Sequence, residues 1–97
     1  MATFVFAYRA PEGYVPGTPE TRVAWTAWFE TMGAQLVDIG KPVFESASLG
    51  SSGAGTRLGG YSIITADDLE SAVRLAKGCP HLQRGGGVDI GQLVDLP

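Results

Sequence analysis

The sequence predicts a small α+β fold of βαββαβ order, in which one antiparallel sheet carries both helices on the same face. Three observations predict it. The 97 residues suit a single domain, which we expect to span residues 1–97. Four short runs rich in β-branched and aromatic residues surround two helical patterns, in the order strand, helix, strand, strand, helix, strand. The right-handed crossover of each βαβ unit then places both helices on one side of the sheet.

The first strand is predicted over residues 3–9. Phe4, Phe6 and Tyr8 alternate there and share one face. The residues between them are also apolar, so both faces of this strand carry apolar side chains. Proline and glycine residues follow and require a loop.

The first helix is predicted to begin at Thr18 and Pro19. Thr18 is suited to cap a helix and Pro19 to occupy its first position. Apolar residues then recur at spacings of three and four: Trp25, Trp28, Phe29, Met32, Leu36 and Ile39. Gly33 interrupts this pattern, so the helix ends or bends there, and Gly40 and Pro42 stop it in any case.

The second strand is predicted over residues 43–49 and the third over residues 60–65. A flexible glycine- and serine-rich connection over residues 50–56 joins them. Asp67, with Glu70 three residues later, forms a variant of the capping box that opens a second helix.

Four apolar residues of this second helix recur at helical spacing: Leu69, Ala72, Val73 and Ala76. Lys77 and Gly78 end the helix, and Pro80 prevents its resumption. A last strand is predicted over residues 88–94.

One face of the predicted sheet has no helix to cover it, although strands one, three and four carry apolar side chains on that face. Monomers rarely expose an apolar patch larger than a few hundred Å². A two-fold contact between two such sheets would cover the patch. We therefore expect a homodimer that forms through the open sheet face.

Composition excludes several classes of partner. The formal net charge is −3, and the Lys and Arg residues are dispersed along the chain, so neither nucleic acid nor a membrane surface is expected as a partner. No apolar run approaches the length of a membrane span. Cys79 is the only cysteine, and the first residues do not have the pattern of a signal peptide, so a cytoplasmic location is expected.

A series of motifs marks the second half of the chain. Gly-Gly-Tyr at residues 59–61 precedes an Ile-Ile strand, an Asp-Leu-Glu-x-Ala helix start at residues 68–72, Cys-Pro-His-Leu at residues 79–82 and a glycine-rich lead into the last strand. This pattern resembles the YCII-related family. The resemblance implies a ferredoxin-like fold that forms dimeric α/β barrels, an architecture that includes lyase- and isomerase-type enzymes.

The chain departs from that family at the residues proposed to be catalytic. In one branch a histidine on the first helix works with an aspartate near the second strand. Here the first helix has Trp25 and Trp28 but no histidine, and no aspartate occurs between Asp38 and Asp67. The Asp-Gly-Pro-Phe motif of a large branch is also missing. The dyad cannot be transferred, and the resemblance leaves open whether the chain is an enzyme.

His81 and Cys79 are the candidates for chemistry. His81 is the only histidine and follows a helix end, so it is the candidate general acid or base. The simpler interpretation, which we favour on the sequence, is a surface or capping residue. Cys79 could act as a nucleophile, but lone cysteines are more often small buried apolar residues.

Aromatic residues suggest a ligand cleft between helix and sheet. The candidate ligand-binding residues are Tyr8, Trp25, Trp28 and Tyr61, together with Arg57, which could bind an anionic group. Phe29 belongs to the same aromatic group. The competing interpretation is that the aromatic residues form core and that Arg57 is a solvated loop residue.

Neither glycine-rich run meets a phosphate-binding fingerprint. The run at residues 53–55 and the run at residues 85–87 are not followed by the helix that such fingerprints require. With one histidine and one cysteine, no metal site is expected, and no cofactor is implied.

Three hypotheses follow. The leading one is a homodimer that binds a small, partly apolar metabolite in an aromatic-lined cleft, with lyase- or isomerase-like catalysis as one option. The alternative is a non-catalytic interaction or regulatory module that recognises another protein. The third is a dimer that only sequesters a metabolite.

Overall fold

Four strands and two helices form the fold of this computed structural model, which describes residues 1–52 and 55–96. The elements in chain order are β1 (Ala2–Pro11), α1 (Pro19–Met32), β2 (Leu36–Asp38), β3 (Thr56–Ala66), α2 (Leu69–Ala76) and β4 (Gly87–Leu93). Short 3₁₀ turns follow α1 and precede β4. The predicted α+β class and the βαββαβ order are confirmed.

The four strands form one antiparallel sheet in the order β2-β3-β1-β4. This is the strand order of a ferredoxin-like fold, with β1 and β3 at its centre. Phe4 of β1 lies opposite Ile64 of β3, and Phe6 lies opposite Ile90 of β4. Directly opposite residues project to the same face, so these side chains form one apolar surface.

The core lies between that surface and the two helices. Phe4 and Phe6 are fully buried, as the alternation in β1 predicted. Trp28 of α1 lies over Phe6 with its ring 6.0 Å away and nearly parallel. Its indole N–H donates to the carbonyl of Leu75 in α2 at 3.0 Å, so this one side chain joins both helices to the sheet.

The predicted position of the second strand is wrong. Residues 43–49 form no strand, and β2 lies at Leu36–Asp38, within the segment whose spacing predicted more helix. The chain leaves α1 through Gly33, whose φ of 54° suits glycine, and Leu36 then pairs with Ile64. Leu36 and Ile39 therefore do not belong to the first helix.

The segment after β2 approaches the sheet only briefly. Pro42 forms an isolated bridge with Gly60, and the N–H of Val43 donates to the carbonyl of Gly59 at 3.1 Å. The chain then leaves β3, and Leu49 is exposed. Gly53 and Ala54, which belong to the predicted glycine-rich connection, lie outside the described residues.

Both helices begin with a capping side chain of the type that the sequence suggested, but the aspartate that caps α2 is not the predicted one. Thr18 caps α1 and accepts a hydrogen bond from the N–H of Thr21 at 3.3 Å. At α2 the cap is Asp68, not Asp67: the Asp68 carboxylate accepts from the N–H of Ser71 at 2.8 Å. The predicted capping box is therefore wrong by one residue, while the end of α2 before Gly78 agrees with the sequence.

The second face of the sheet carries no helix. Its apolar side chains come from three strands, and they are Val5, Ala7, Tyr61, Ile63 and Leu93. Tyr61 and Leu93 are 38% and 45% exposed. Within residues 1–52 and 55–96, no helix is long and apolar enough to cross a bilayer.

Candidate functional site

A cleft of about 300 Å³ opens beside the amino-terminal half of α1, where the loops after β1 and β2 meet the β1–β3 pair. We call it the aromatic cleft. Its aromatic lining comprises Tyr8, Tyr14, Trp25, Phe29, Phe44, Tyr61 and His81. Three of the predicted ligand-binding residues, Tyr8, Trp25 and Tyr61, thus lie around one cavity with the predicted catalytic residue His81.

Trp25 forms a wall of the aromatic cleft. Its ring meets Tyr8 edge-on with centroids 4.7 Å apart, and meets His81 in the same way at 4.9 Å. Its indole N–H donates to the hydroxyl of Tyr14 at 3.0 Å, which holds the loop after β1 against α1. Such edge-to-face contacts stabilise a fixed arrangement of rings.

Tyr8 is buried beneath the cleft, and its hydroxyl is already committed. It donates to the hydroxyl of Ser62 at 2.8 Å, and Ser62 donates in turn to the carbonyl of Ile39 at 2.6 Å. Burial raises the pKa of Tyr8 well above its ordinary value, so the phenol stays protonated. Tyr8 therefore supplies an apolar ring surface and holds the loop after β2 to the sheet.

Glycines at the start of β3 bring backbone to the cleft surface. A β-carbon at Gly59 would lie 3.0 Å from the β-carbon of Ala10 and 3.6 Å from Nε2 of His81. One at Gly60, where φ is 152°, would lie 2.9 Å from the carbonyl oxygen of Lys41. Larger residues at these positions would press against the wall of the cleft, so glycine allows this close approach of β3 to its neighbours.

His81 lies in the 3₁₀ turn Pro80–Arg84, which the left-handed Gly85 ends. The N–H of Gly86 donates to the carbonyl of His81 at 2.9 Å. The side chain is only 2% exposed, and its Nδ1 atom has no hydrogen-bond partner among the described residues. The structure therefore places His81 inside the cleft wall, and not at the surface.

Burial is the main reason why the pKa of His81 is lowered to about 4, and the positive charges of Arg57 and Arg84 lower it further. The imidazole is consequently neutral at neutral pH. A neutral imidazole has one nitrogen that donates and one that accepts a hydrogen bond. His81 is therefore an uncharged hydrogen-bonding group at neutral pH, and it can act as a base without first losing a proton to solvent.

Cys79 lies in the core, and its side chain is 1% exposed. Burial raises the pKa of its thiol to about 11, although the backbone N–H groups of His81 and Leu82 oppose that effect. A protonated, buried thiol is a poor nucleophile. The small apolar role that the sequence favoured for Cys79 fits this position.

Trp28 and Arg57 are not among the residues that line the cleft. Trp28 is 6% exposed and packs in the core behind Trp25, with ring centroids 5.5 Å apart. The guanidinium of Arg57 donates to the carbonyls of Val43 at 3.0 Å and Tyr14 at 3.5 Å. Arg57 therefore joins the two loops whose residues form the rim.

Sequence reasoning missed several lining residues, notably Tyr14, Arg22 and Lys41. Arg22 lies one helical turn before Trp25, so the spacing of three residues along α1 could have identified it. Tyr14 and Lys41 lie in loops, where no periodic pattern indicates which way a side chain points. Their place depends on how the loops meet.

No family model matches this chain, and no curated protein sequence matches it significantly. Among solved structures, the fold is similar to that of 5-chloro-2-hydroxyhydroquinone dehydrochlorinase from Burkholderia phenoliruptrix, in its complex with 2,5-dihydroxybenzoquinone. The TM-score is 0.67, with 95% of this chain and 93% of that chain covered at 14% identity. This likeness establishes the fold, and the resemblance to the YCII-related family has support at that level alone.

Proposed function

We propose that this protein binds a small, flat, partly apolar molecule in the aromatic cleft, beside the neutral imidazole of His81. The observation that carries the proposal is a cleft of about 300 Å³ with a largely aromatic lining and a buried histidine in its wall: His81 is 2% exposed, and its enclosed Nδ1 has no hydrogen-bond partner among the described residues. Buried polar atoms nearly always have a partner, and exceptions cluster at functional sites.

The size and lining of the cleft favour a single-ring ligand. A volume of about 300 Å³ is at the small end of the range for ligand sites. Tyr14, Trp25 and His81 line the cavity and contact one another edge-on, with His81 centroids 4.7 Å from Tyr14 and 4.9 Å from Trp25. The similar dehydrochlorinase structure contains 2,5-dihydroxybenzoquinone, a molecule of this shape.

Catalysis of a lyase or isomerase type is the finer form of the proposal. Both reaction types require a proton to be removed from one carbon and returned or lost elsewhere. A neutral His81 can accept such a proton, but its lowered pKa makes it a weak base, so the role requires a substrate with an acidic C–H bond. Cys79 and Tyr8 remain protonated and are not suited to that role.

A homodimer is the proposed assembly, with the second copy on the open sheet face. Val5 and Ile63 lie opposite each other at the centre of that face, and Leu93 extends it to β4. These side chains form a row without a helix above them. A two-fold copy is the occupant that covers the same row on both molecules at once.

A second candidate is an interaction module that recognises another protein. The observation that favours it is the exposure of large apolar side chains in and after β2: Val37 and Leu49 are 61% and 88% exposed, and Phe44, which also lines the cleft, is 72% exposed. This candidate needs no ligand in the aromatic cleft. Whether a ligand occupies the cleft therefore distinguishes the two candidate functions.

The proposal is tested by ligand binding with a variant that fills the cleft. Gly59→Ala adds a methyl group beside His81, so we expect it to weaken the binding of 2,5-dihydroxybenzoquinone at least about tenfold in calorimetric titration. Gly87→Ala is the matched control, because its β-carbon would meet no atom within 4 Å and Gly87 does not line the cleft.

Native mass spectrometry of freshly purified protein provides an independent measurement. We expect a dimer that retains a small molecule, and Gly59→Ala to retain less of it. A protein that retains nothing and binds no single-ring compound in titration would contradict the proposal and favour the interaction module.

A further inference from the structure

The charged side chains that line the aromatic cleft are all positive. Arg22 from α1 and Lys41 from the loop after β2 belong to its lining, and no Asp or Glu occurs among the described residues that line it. Arg57 adds a third positive charge behind the rim. This is unexpected from composition, because the chain has 10 acidic and 7 basic residues.

These positive charges are not neutralised by neighbouring carboxylates. In the described part of the chain, the ion pair joins Arg74 to Glu70 on α2, away from the cleft, and includes neither Arg22 nor Lys41. Arg57 donates to backbone carbonyls, which leaves its net charge in place. The cleft therefore has a positive field without a counter-charge from its own lining.

The positive field of the cleft reaches the imidazole ring of His81 in its wall. After burial, the positive charge of Arg57 is the next largest reason for the lowered pKa of His81. A cation destabilises another cation nearby and stabilises an anion in the same place. The apolar surroundings of Trp25 and Phe29 reduce screening by water, which strengthens that effect.

We infer that the aromatic cleft selects a ring ligand that carries a negative charge, such as an aromatic carboxylate or an acidic phenol or enol, with Arg22 and Lys41 binding its anionic group. The inference rests on the proposed function, since it names the ligand class of the same cleft. The ring packs against Trp25, and His81 adds an uncharged side chain to the same wall.

A matched pair of probes isolates the charge. The anion 4-hydroxybenzoate and the neutral 4-hydroxybenzamide have nearly the same shape and differ by one charge. We expect the carboxylate to bind about tenfold more tightly in calorimetric titration at low salt, because each of the two cations contributes a modest attraction at an exposed position. Added salt should reduce this ratio.

Variants of Arg22 and Lys41 test which residues provide the preference for the carboxylate. Arg22→Gln and Lys41→Gln should each weaken the binding of 4-hydroxybenzoate several-fold and leave that of 4-hydroxybenzamide unchanged. Lys77→Gln is the matched control: it removes the same charge from an exposed position at the end of α2 that does not line the cleft. It should change neither affinity.

The possible results separate the inference from the proposed function. If both rings bind equally, or if Lys77→Gln lowers carboxylate affinity as much as Lys41→Gln, the selection for anions is wrong while the ligand cleft stands. If neither probe nor 2,5-dihydroxybenzoquinone binds, the proposed function fails and the inference fails with it.

Discussion

At the scale of single residues, His81 carries a free-energy cost that its packing does not explain. Leaving a buried polar atom without a hydrogen bond costs about 1–3 kcal/mol. Ring contacts with Tyr14 and Trp25, at 4.7 and 4.9 Å between centroids, offset part of it. An apolar side chain of similar size would make the same contacts without the cost, so stability alone does not account for a histidine here.

The lowered pKa of His81 makes the stability of the protein depend on pH. The unfolded chain binds a proton near pH 6.5 and the folded chain near pH 4, so between these values the unfolded state holds more protons. Stability is therefore fully present above about pH 6.5 and is lost as the pH falls through 4. We expect a loss of roughly 2 kcal/mol between about pH 7 and 5.

Urea unfolding at several pH values measures this loss. The control is His81→Gln, which keeps a polar side chain but removes the titrating group, so its free energy of unfolding should vary less over the same range. An identical pH dependence in both proteins would show that His81 is not a neutral buried imidazole in the folded state.

At the scale of elements, α2 shows how a local signal can be correct in kind and wrong in position. Both Asp67 and Asp68 precede the apolar pattern, and either residue type can cap a helix. Asp68 is the cap because its backbone is extended and its carboxylate reaches the N–H of Ser71. The hydrogen bond to Ser71 also lowers the pKa of Asp68.

Substitution of the two aspartates tests this assignment. Asp68→Ala removes the cap and should lower the melting temperature by a few degrees, because the first turn of α2 loses a hydrogen-bond acceptor. Asp67→Ala is the matched control and should have little effect on melting. Equal losses, or a larger loss for Asp67→Ala, would show that the capping box predicted from the sequence forms after all.

The first helix and β2 show a different kind of error. Leu36 and Ile39 continue the helical spacing of Trp25 and Phe29, and yet the chain is extended from Leu36 onward. Gly33 ends the helix, and the free edge of β3 then offers hydrogen bonds that a longer helix would leave unused. This competition depends on Ile64, which lies 28 residues further along the chain.

At the scale of the whole molecule, the open sheet face and the aromatic cleft lie mostly on opposite sides of the sheet and have Tyr61 in common. The face carries Val5 and Ile63 on the side of the sheet away from the helices, whereas Trp25 and His81 line the cleft on the helix side. A substitution at Ile63, which does not line the cleft, can therefore disrupt the proposed dimer without changing a lining residue.

A charge at the centre of the open face should prevent dimer formation. Ile63→Lys places an ammonium group opposite Val5, and burying it against a second copy would cost several kcal/mol. We expect the wild-type protein to sediment as a dimer at micromolar concentration in analytical ultracentrifugation and Ile63→Lys as a monomer with unchanged circular dichroism.

The control for this measurement is Val23→Lys, on an exposed position of α1 outside both surfaces, which should remain a dimer. A wild-type protein that is monomeric at high micromolar concentration would contradict the proposed assembly. The ligand-binding experiments on the cleft do not depend on this outcome.

The sequence by itself determined the order of elements, the residues that share a face of β1 and the C-terminal end of α2. These features follow from short-range physics: Phe4, Phe6 and Tyr8 alternate with the pleat of a strand, and a helix ends where glycine and proline interrupt it. It also singled out Tyr8, Trp25 and Tyr61, three of the residues that line the cleft, because they are large and close to the predicted junction of helix and sheet.

Only the tertiary structure decided which segment became β2, that Trp28 packs in the core while Trp25 lines a cavity, and that Arg22 and Lys41 surround it without a carboxylate. Each of these depends on contacts between residues far apart in the chain. Helical spacing places Trp25 and Trp28 on one side of α1, but the position of α2 and its Leu75 carbonyl determines which of them is enclosed.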